Sequence, residues 1–247
     1  KTPASMRYVL SLVIVLIITQ MPVIGQPLQD CTQPSATYSF QVGDVKTTLG
    51  HGGALWQGEY LVPYQAGLPS VSTAFTAGIW IGALDPAGNL KLAANTYGAF
   101  TGEGGDFYPG PLTPFSLAPG APPASITNAA TCAAFDRHWP VSRADIEAFR
   151  ADYQLDGQVD GDYPDIFAWP GRGNMHSVEY NGFVLPDQPL APFVDLNQDG
   201  AYQPENGEYP DVPGDRAVWW VINDAGNLHF QSDGDKLQIE VHLLAYG

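Results

Sequence analysis

"RAVWWVINDAGNLHFQ" (residues 216–231) carries four large apolar side chains in a row, Trp219, Trp220, Val221 and Ile222, and then a cluster of turn formers. β-branched and aromatic residues bounded by Asn, Asp and Gly read as a strand entering a turn, here at Asn223–Asn227, with a second strand expected to follow it. Next in the chain, "KLQIEVHLLAYG" (236–247) places Leu237, Ile239, Val241, Leu243 and Ala245 at alternate positions. Successive side chains of a strand point to opposite faces, so this alternation gives a half-buried strand with one apolar face.

The same device appears upstream. "STAFTAGIWIGAL" (72–84) leads into "DPAGNLKLAANTY" (85–97), and Pro86 and Gly88 supply turn geometry between Asp85 and Asn89. With Gly 27 and Pro 22 in 247 residues, the chain is interrupted too often for long helices. One helix is expected, in "VSRADIEAFRADY" (141–153), where Ser142 is placed to cap, Asp145 follows three residues on, and Ile146 pairs with Phe149. Residues 102–130, rich in Gly, Pro and small side chains, read as a long surface excursion. The fold class expected is therefore mainly β: an antiparallel β-sandwich-like or multi-sheet β domain with one short helix and long Gly/Pro-rich loops. A single domain is expected over 26–247, and the strand running into Gly247 is read as belonging to a longer chain.

Residues 1–25 are set apart. Arg7, the apolar run Tyr8–Ile18 and the small residues around Val23 and Gly25 follow the pattern of a secretory signal peptide starting at Met6, with cleavage near Gly25/Gln26. The run is short for a membrane span and is followed by Pro22, so no membrane insertion is expected after cleavage. The formal net charge of −16 argues against nucleic acid and against anionic lipid, both of which require a basic surface. Two cysteines, Cys31 and Cys132, in an exported chain point to one disulfide, with two separate thiols as the alternative.

One segment has the pattern of a metal loop. In "DLNQDGAYQPENGEYP" (195–210), Asp195, Asn197 and Asp199 stand at positions 1, 3 and 5, Gly200 at 6, and Ala201 supplies a carbonyl at 7. These are the oxygen donors a compact calcium loop uses. Asn206 occupies position 12, where an acid is usual, and Glu205 or Glu208 is the candidate closing carboxylate. Pro192 and Pro204 exclude flanking EF-hand helices, so the expectation is an EF-hand-like Ca2+ loop in a β context. The plainer reading is a chain of Asx-turns. A second acidic loop, with Asp152, Asp156, Asp160 and Asp162, lacks the alternation and reads as a solvated turn. "GDYPD" (161–165) and "GEYPD" (207–211) end the two loops alike.

Catalytic signatures are missing from the sequence: no nucleophile elbow, zinc helix or phosphate loop occurs, and the five histidines have no partner at metal spacing. Nothing singles out a carboxylate pair for glycoside hydrolysis. The Trp and Tyr residues would suit a sugar-stacking surface, but "WIG" and "VWWV" lie in expected strands and are read as aromatic core.

"WIGALDPAGNLKLAANTY", "GGDFYPGPLTP", "CAAFDRHWPVSRADIEAF", "IFAWPGRGN", "LAPFVDLNQDGAYQPENGEYPDVPGDRAVWWVINDAGN" and "IEVHLLAYG", in this order, resemble the N-terminal region of large secreted Bacteroidetes surface proteins. Those proteins typically carry a C-terminal type IX secretion sorting domain, and the resemblance covers about residues 45–247. It implies export, a secreted or cell-surface location, and further β-rich domains of the same longer chain as partners. The family's acidic loop matches Asp195, Asn197 and Asp199, and often has Asp in place of Glu208. The function expected is a non-enzymatic module in adhesion or structural scaffolding, with extracellular glycans or surface proteins as further partners. The alternative is a secreted polysaccharide-binding or polysaccharide-hydrolysing protein.

Overall fold

A computed structural model describes residues 31–57, 60–65, 67–97, 104–115 and 124–247. The leader expected in 1–25 lies outside these residues, as does part of the 102–130 excursion. Among the described residues strand outweighs helix, 30% to 18%, so the chain is mainly β.

The chain begins with an antiparallel hairpin, β1 (Thr37–Val42) and β2 (Val45–Gly50), to which β4 (Tyr60–Leu61) adds. Between them β3 (Ala54–Gln57) turns aside to pair with β5 (Thr76–Gly78). Next come β6 (Trp80–Leu84) and β7 (Leu90–Ala94), joined at the expected turn. There Asp85 Oδ1 accepts from the amides of Ala87 and Asn89, both at 2.9 Å, which is an Asx-turn closing a hairpin. Short strands β8 (Tyr108–Pro109), β9 (Thr113–Phe115) and β10 (Ala124–Ile126) precede the helical part: α1 (Ala129–Phe135), β11 (Trp139–Ser142), α2 (Arg143–Asp156), α3 (Pro164–Phe167) and α4 (Ser177–Asn181). After these run β12 (Phe193–Val194), β13 (Tyr209–Pro210), β14 (Arg216–Asn223) and β15 (Glu240–Tyr246).

The expected helix is α2, and it starts as its sequence dictates: Ser142 is the N-cap and accepts from Asp145 N at 3.1 Å. It ends at Gly157, whose left-handed backbone (φ +81°) costs little without a Cβ. The structure adds the shorter α1, α3 and α4. Among the described residues no helix is long and apolar enough to cross a membrane.

β14 is the hub. It lies between β15 on one side and, on the other, β11 along residues 216–219 and β8 along 222–223, all antiparallel. Its Ala217, Trp219 and Val221 face a core with Phe135, Ile146, Phe149, Ile166 and Trp169, supplied largely by the helices. Val218, Trp220 and Ile222 face the opposite core with Leu49, Ala93 and Phe107, against which Tyr38 and Phe40 pack. A strand covered on both faces needs apolar residues at every position, and the unbroken VWWVI run is the result. β15 obeys its alternation, since Val241, Leu243 and Ala245 join the hairpin-side core while Leu244 turns to the helical side.

Three expectations are corrected. The described start of the 102–130 excursion is not at the surface: residues 104–112 are buried, with Phe107 in the hairpin-side core and β8 paired to β14. Residues 228–231 form no strand, and β14 takes as its partner β15 instead. The intervening segment is held by side chains: Asp224 accepts from Leu237 N (2.5 Å) and Ile239 N (2.8 Å), and Asp106 Oδ1 accepts from Gln231 N (2.7 Å). His229 bonds Leu92 O (2.7 Å) and Asp224 O (2.8 Å). Buried polar groups thus satisfy amides that a ladder would otherwise serve. Trp80 of "WIG" is not core but 70% exposed, because among the described residues β6 pairs with β7 alone and its outer face is left open.

Cys31 and Cys132 form a disulfide, Cα to Cα 5.7 Å. It joins the segment before β1 to α1 beside the buried ring of Tyr108.

Candidate functional site

The acidic loop is closed at its base by β12 and β13, which pair Phe193 with Pro210 and Val194 with Tyr209. Its floor is Tyr202, fully buried, with its hydroxyl donating to Ile166 O at 2.9 Å and its ring against Phe193. Burial and the nearby charges of Glu208 and Glu205 push the Tyr202 hydroxyl well above the usual phenol range. The loop is therefore rooted in the helical core rather than draped over it.

Above that floor the side chains curl inward. Asp195 Oδ1 accepts from Gln198 N (2.6 Å) and Oδ2 from Gly200 N (2.9 Å). Asn197 Oδ1 accepts from Asp199 N (2.9 Å), and Asp199 Oδ1 from Ala201 N (2.8 Å). Gln198 (φ +63°) and Gly200 (φ +79°) take left-handed backbone, which tightens the bend enough for these bonds. Asp199 Oδ2 receives Asn197 Nδ2 (3.0 Å) and Gln203 Nε2 (2.9 Å). Gln203 was not among the expected ligands, although it stands at position 9 of the same pattern, where a donor is common.

The two closing candidates part company. Glu205 turns outward to His176, Oε2 to Nε2 2.9 Å. Glu208 is fully buried, 0% exposed, and its two oxygens accept from Leu196 N (3.0 Å) and Gln203 N (2.8 Å). Burial pushes its carboxyl above the usual range and the Asp195 charge adds to this, while the amides of Gln203, Leu196 and Asn197 pull it back. The structure thus brings Asp195, Asn197, Asp199 and Glu208 together, places Ala201 as a donor to Asp199, and leaves Glu205 outside. Among the described residues no three His, Cys, Asp or Glu side chains stand in an arrangement that could hold a metal ion. The carboxylate oxygens of the loop accept from its own amides.

The second acidic loop is an exposed turn at the end of α2. Asp152 Oδ2 accepts from Asp160 N (3.0 Å) and Gly161 N (2.8 Å), and Asp156 Oδ1 from Gln158 N (3.0 Å). Elsewhere, exposed Trp80 is anchored by its indole N–H, which donates to Asn95 O at 2.9 Å. Two residues along from Asn95, exposed Tyr97 meets exposed Phe75 edge-on, centroids 6.1 Å apart. Compared with protein-family models, curated proteins and solved structures, the chain finds no significant match.

Proposed function

We propose that the chain is a non-enzymatic, secreted or cell-surface module of a larger exoprotein, acting in adhesion or scaffolding, whose 195–208 loop is stabilised by calcium. The location and the larger protein rest on the leader pattern and on the resemblance to type IX-exported Bacteroidetes surface proteins. The observation that carries the calcium reading is the buried Glu208 carboxylate beside Asp195, two acids with no basic side chain among the bonds that hold them. Hard oxygen donors gathered from positions 1, 3 and 5 suit a calcium ion, and both Asp195 oxygens and Asp199 Oδ1 accept one amide each and keep a second lone pair. In this reading Asp195, Asn197 and Asp199 hold the ion from one side with Ala201 O, and Glu208 replaces the missing acid at position 12.

A thermal melt in calcium and in excess chelator tests it. Calcium at 100 times its Kd would stabilise the fold by about 2.7 kcal/mol, which for a chain of this size raises Tm by roughly 5–11 °C. The rise should vanish in the Asp195→Ala, Asp199→Ala double variant. A folded wild type whose Tm ignores calcium refutes the reading.

The Trp80 finding favours a second reading, neutral glycan binding. An indole whose N–H is spent on Asn95 O offers solvent a fixed apolar ring face, and sugars stack on such faces. No Asp, Glu, Lys or Arg occurs in residues 60–84, the stretch that contains Phe75 and Trp80, which suits an uncharged ligand. Retention of the protein on a polysaccharide panel decides it.

A further inference from the structure

Two histidines far apart in sequence meet in the interior. His51 follows β2 and is 4% exposed; His138 lies between α1 and β11, and the rings are edge-on with centroids 5.3 Å apart. All four ring nitrogens are buried and none makes a well-formed hydrogen bond, with only the backbone of Phe135 standing by His51 and that of Gly50 by His138. A neutral imidazole has one donor and one acceptor, and leaving either poorly met inside a protein is unfavourable. A buried group of this kind calls for an explanation other than packing.

The surroundings say what protonation would do. Facing the pair are Tyr38 of β1, with its ring centroid 6.1 Å from His138, and Trp220 of β14 at 5.2 Å. The charged group facing it is Asp136, whose Oδ1 is 4.0 Å from His51 Nδ1. That carboxylate is already engaged, accepting from Ser35 N (2.9 Å), Ser35 Oγ (2.7 Å) and Ala36 N (3.0 Å). The backbone carbonyls of Phe135 and Gly50 complete the shell. One imidazolium here gains a distant, shared counter-ion; a second would also meet a like charge.

We propose that His51 and His138 form an acid-triggered latch: on acidification they take up protons together, and the β1–β2 hairpin lifts off Trp220 while the Cys31–Cys132 disulfide keeps it tethered. The released surfaces are apolar, Tyr38, Phe40 and Leu49 on the hairpin and Val218 and Trp220 on β14, so opening converts a closed module into one with a sticky face. Burial, first, lowers the His138 imidazole to about 4 and takes His51 well below its ordinary 6.5, with His138 itself adding to the effect on His51. Both folded values lie below the unfolded one. Closure is therefore complete above pH 6.5 and weakens as pH falls from there toward 4.

Hydrogen exchange of the whole protein against pH tests the latch. With two protons taken up per opening, the opening constant of residues 37–50, corrected for intrinsic exchange, should rise about 100-fold per pH unit below 6.5, with protection in β11 and β14 retained. His138→Phe keeps a ring in place and should reduce the slope to about 10-fold per unit. An unchanged slope in that variant, or loss of protection spread evenly over the chain, overturns the proposal. Should the variant fail to fold, histidine NMR of the wild type decides. Rings of His51 and His138 that titrate near 6.5 while the hairpin stays protected overturn the latch, and rings that titrate only with opening support it.

Discussion

Replacing Glu208 by Ala removes a buried carboxylate whose bonds can be counted. Its two oxygens hold the amides of Leu196 and Gln203, at opposite sides of the loop, at 3.0 and 2.8 Å. Hydrogen bonds to a charged acceptor contribute about 1.5–3 kcal/mol each, which gives about 3–6 kcal/mol before any offset. The offset is the unfavourable burial of the charge next to Asp195, the cause of the raised carboxyl. We expect a net loss of about 3 kcal/mol in chelator, a Tm lower by roughly 6–12 °C. Glu205→Ala is the control, because the exposed Glu205–His176 pair is worth less than about 1 kcal/mol. The pH dependence has a definite sign. A carboxyl raised above its ordinary 4.5 contributes most below that value and loses its contribution as pH rises through the raised one. In chelator, the wild type's advantage over Glu208→Ala should narrow as pH rises past 4.5; with calcium bound, it should hold. Melts followed by near-ultraviolet circular dichroism across pH 4–8 give the comparison. A Tm change for Glu208→Ala no larger than that for Glu205→Ala would refute the assignment of Glu208 as the inner brace.

Two further outcomes follow from the architecture. Reducing Cys31–Cys132, or replacing both by Ser, opens a loop with a sequence separation of 101 and should lower stability by about 4–5 kcal/mol in denaturant titrations; a loss under about 1 kcal/mol would show that the bridge constrains little. Trp80→Ala should change Tm by less than about 2 °C, since the ring is outside the core, yet abolish retention on any polysaccharide the wild type binds; retention that survives the change removes Trp80 from the glycan reading.

Local rules were legible where one segment decides its own state. The alternation of β15, the continuous apolar run of β14, the Asp85 turn and the Ser142 cap of α2 all involve neighbours within a few residues. What could not be read is which face another segment covers. Alternation gives β6 two faces, and Trp80 stays outside because no sheet overlies it among the described residues. The strand expected at 228–231 failed for a similar reason, because Asp106, from a remote segment, claims the amide of Gln231. In the acidic loop the alternating donors were plain, but the choice between Glu205 and Glu208 was not. It is made by Gly207, whose backbone (φ +82°) reverses the chain after the 3-10 turn Pro204–Asn206. A Cβ there would stand 2.4 Å from the Tyr153 ring, so only glycine permits the turn that carries Glu208 inside.

A chain with 26 acidic and only 10 basic residues cannot pair most of its carboxylates with cations, and among the described residues three are buried regardless. Asp106, Asp224 and Glu208 are each 0% exposed, and each is met by backbone amides: Ala94, Gln231 and Ser232 for the first, Leu237 and Ile239 for the second, Leu196 and Gln203 for the third. Irregular segments here are thus organised around carboxylates as strands are around ladders, each acid collecting amides that would otherwise be orphaned. The three differ in what stands next to them. Asp224 has the His229 ring 3.7 Å away, a side chain able to carry positive charge. Glu208, raised first by burial, has Asp195, a second acid, as a neighbour that adds to the rise. Amides satisfy hydrogen bonding but carry no net charge, so the repulsion between Glu208 and Asp195 persists when every bond is made. On the calcium reading, a small divalent cation held between the two acids would offset that repulsion. Calcium stabilisation should therefore be lost with Asp195 and Glu208 and persist when Asp106 or Asp224 is replaced in a chain that still folds.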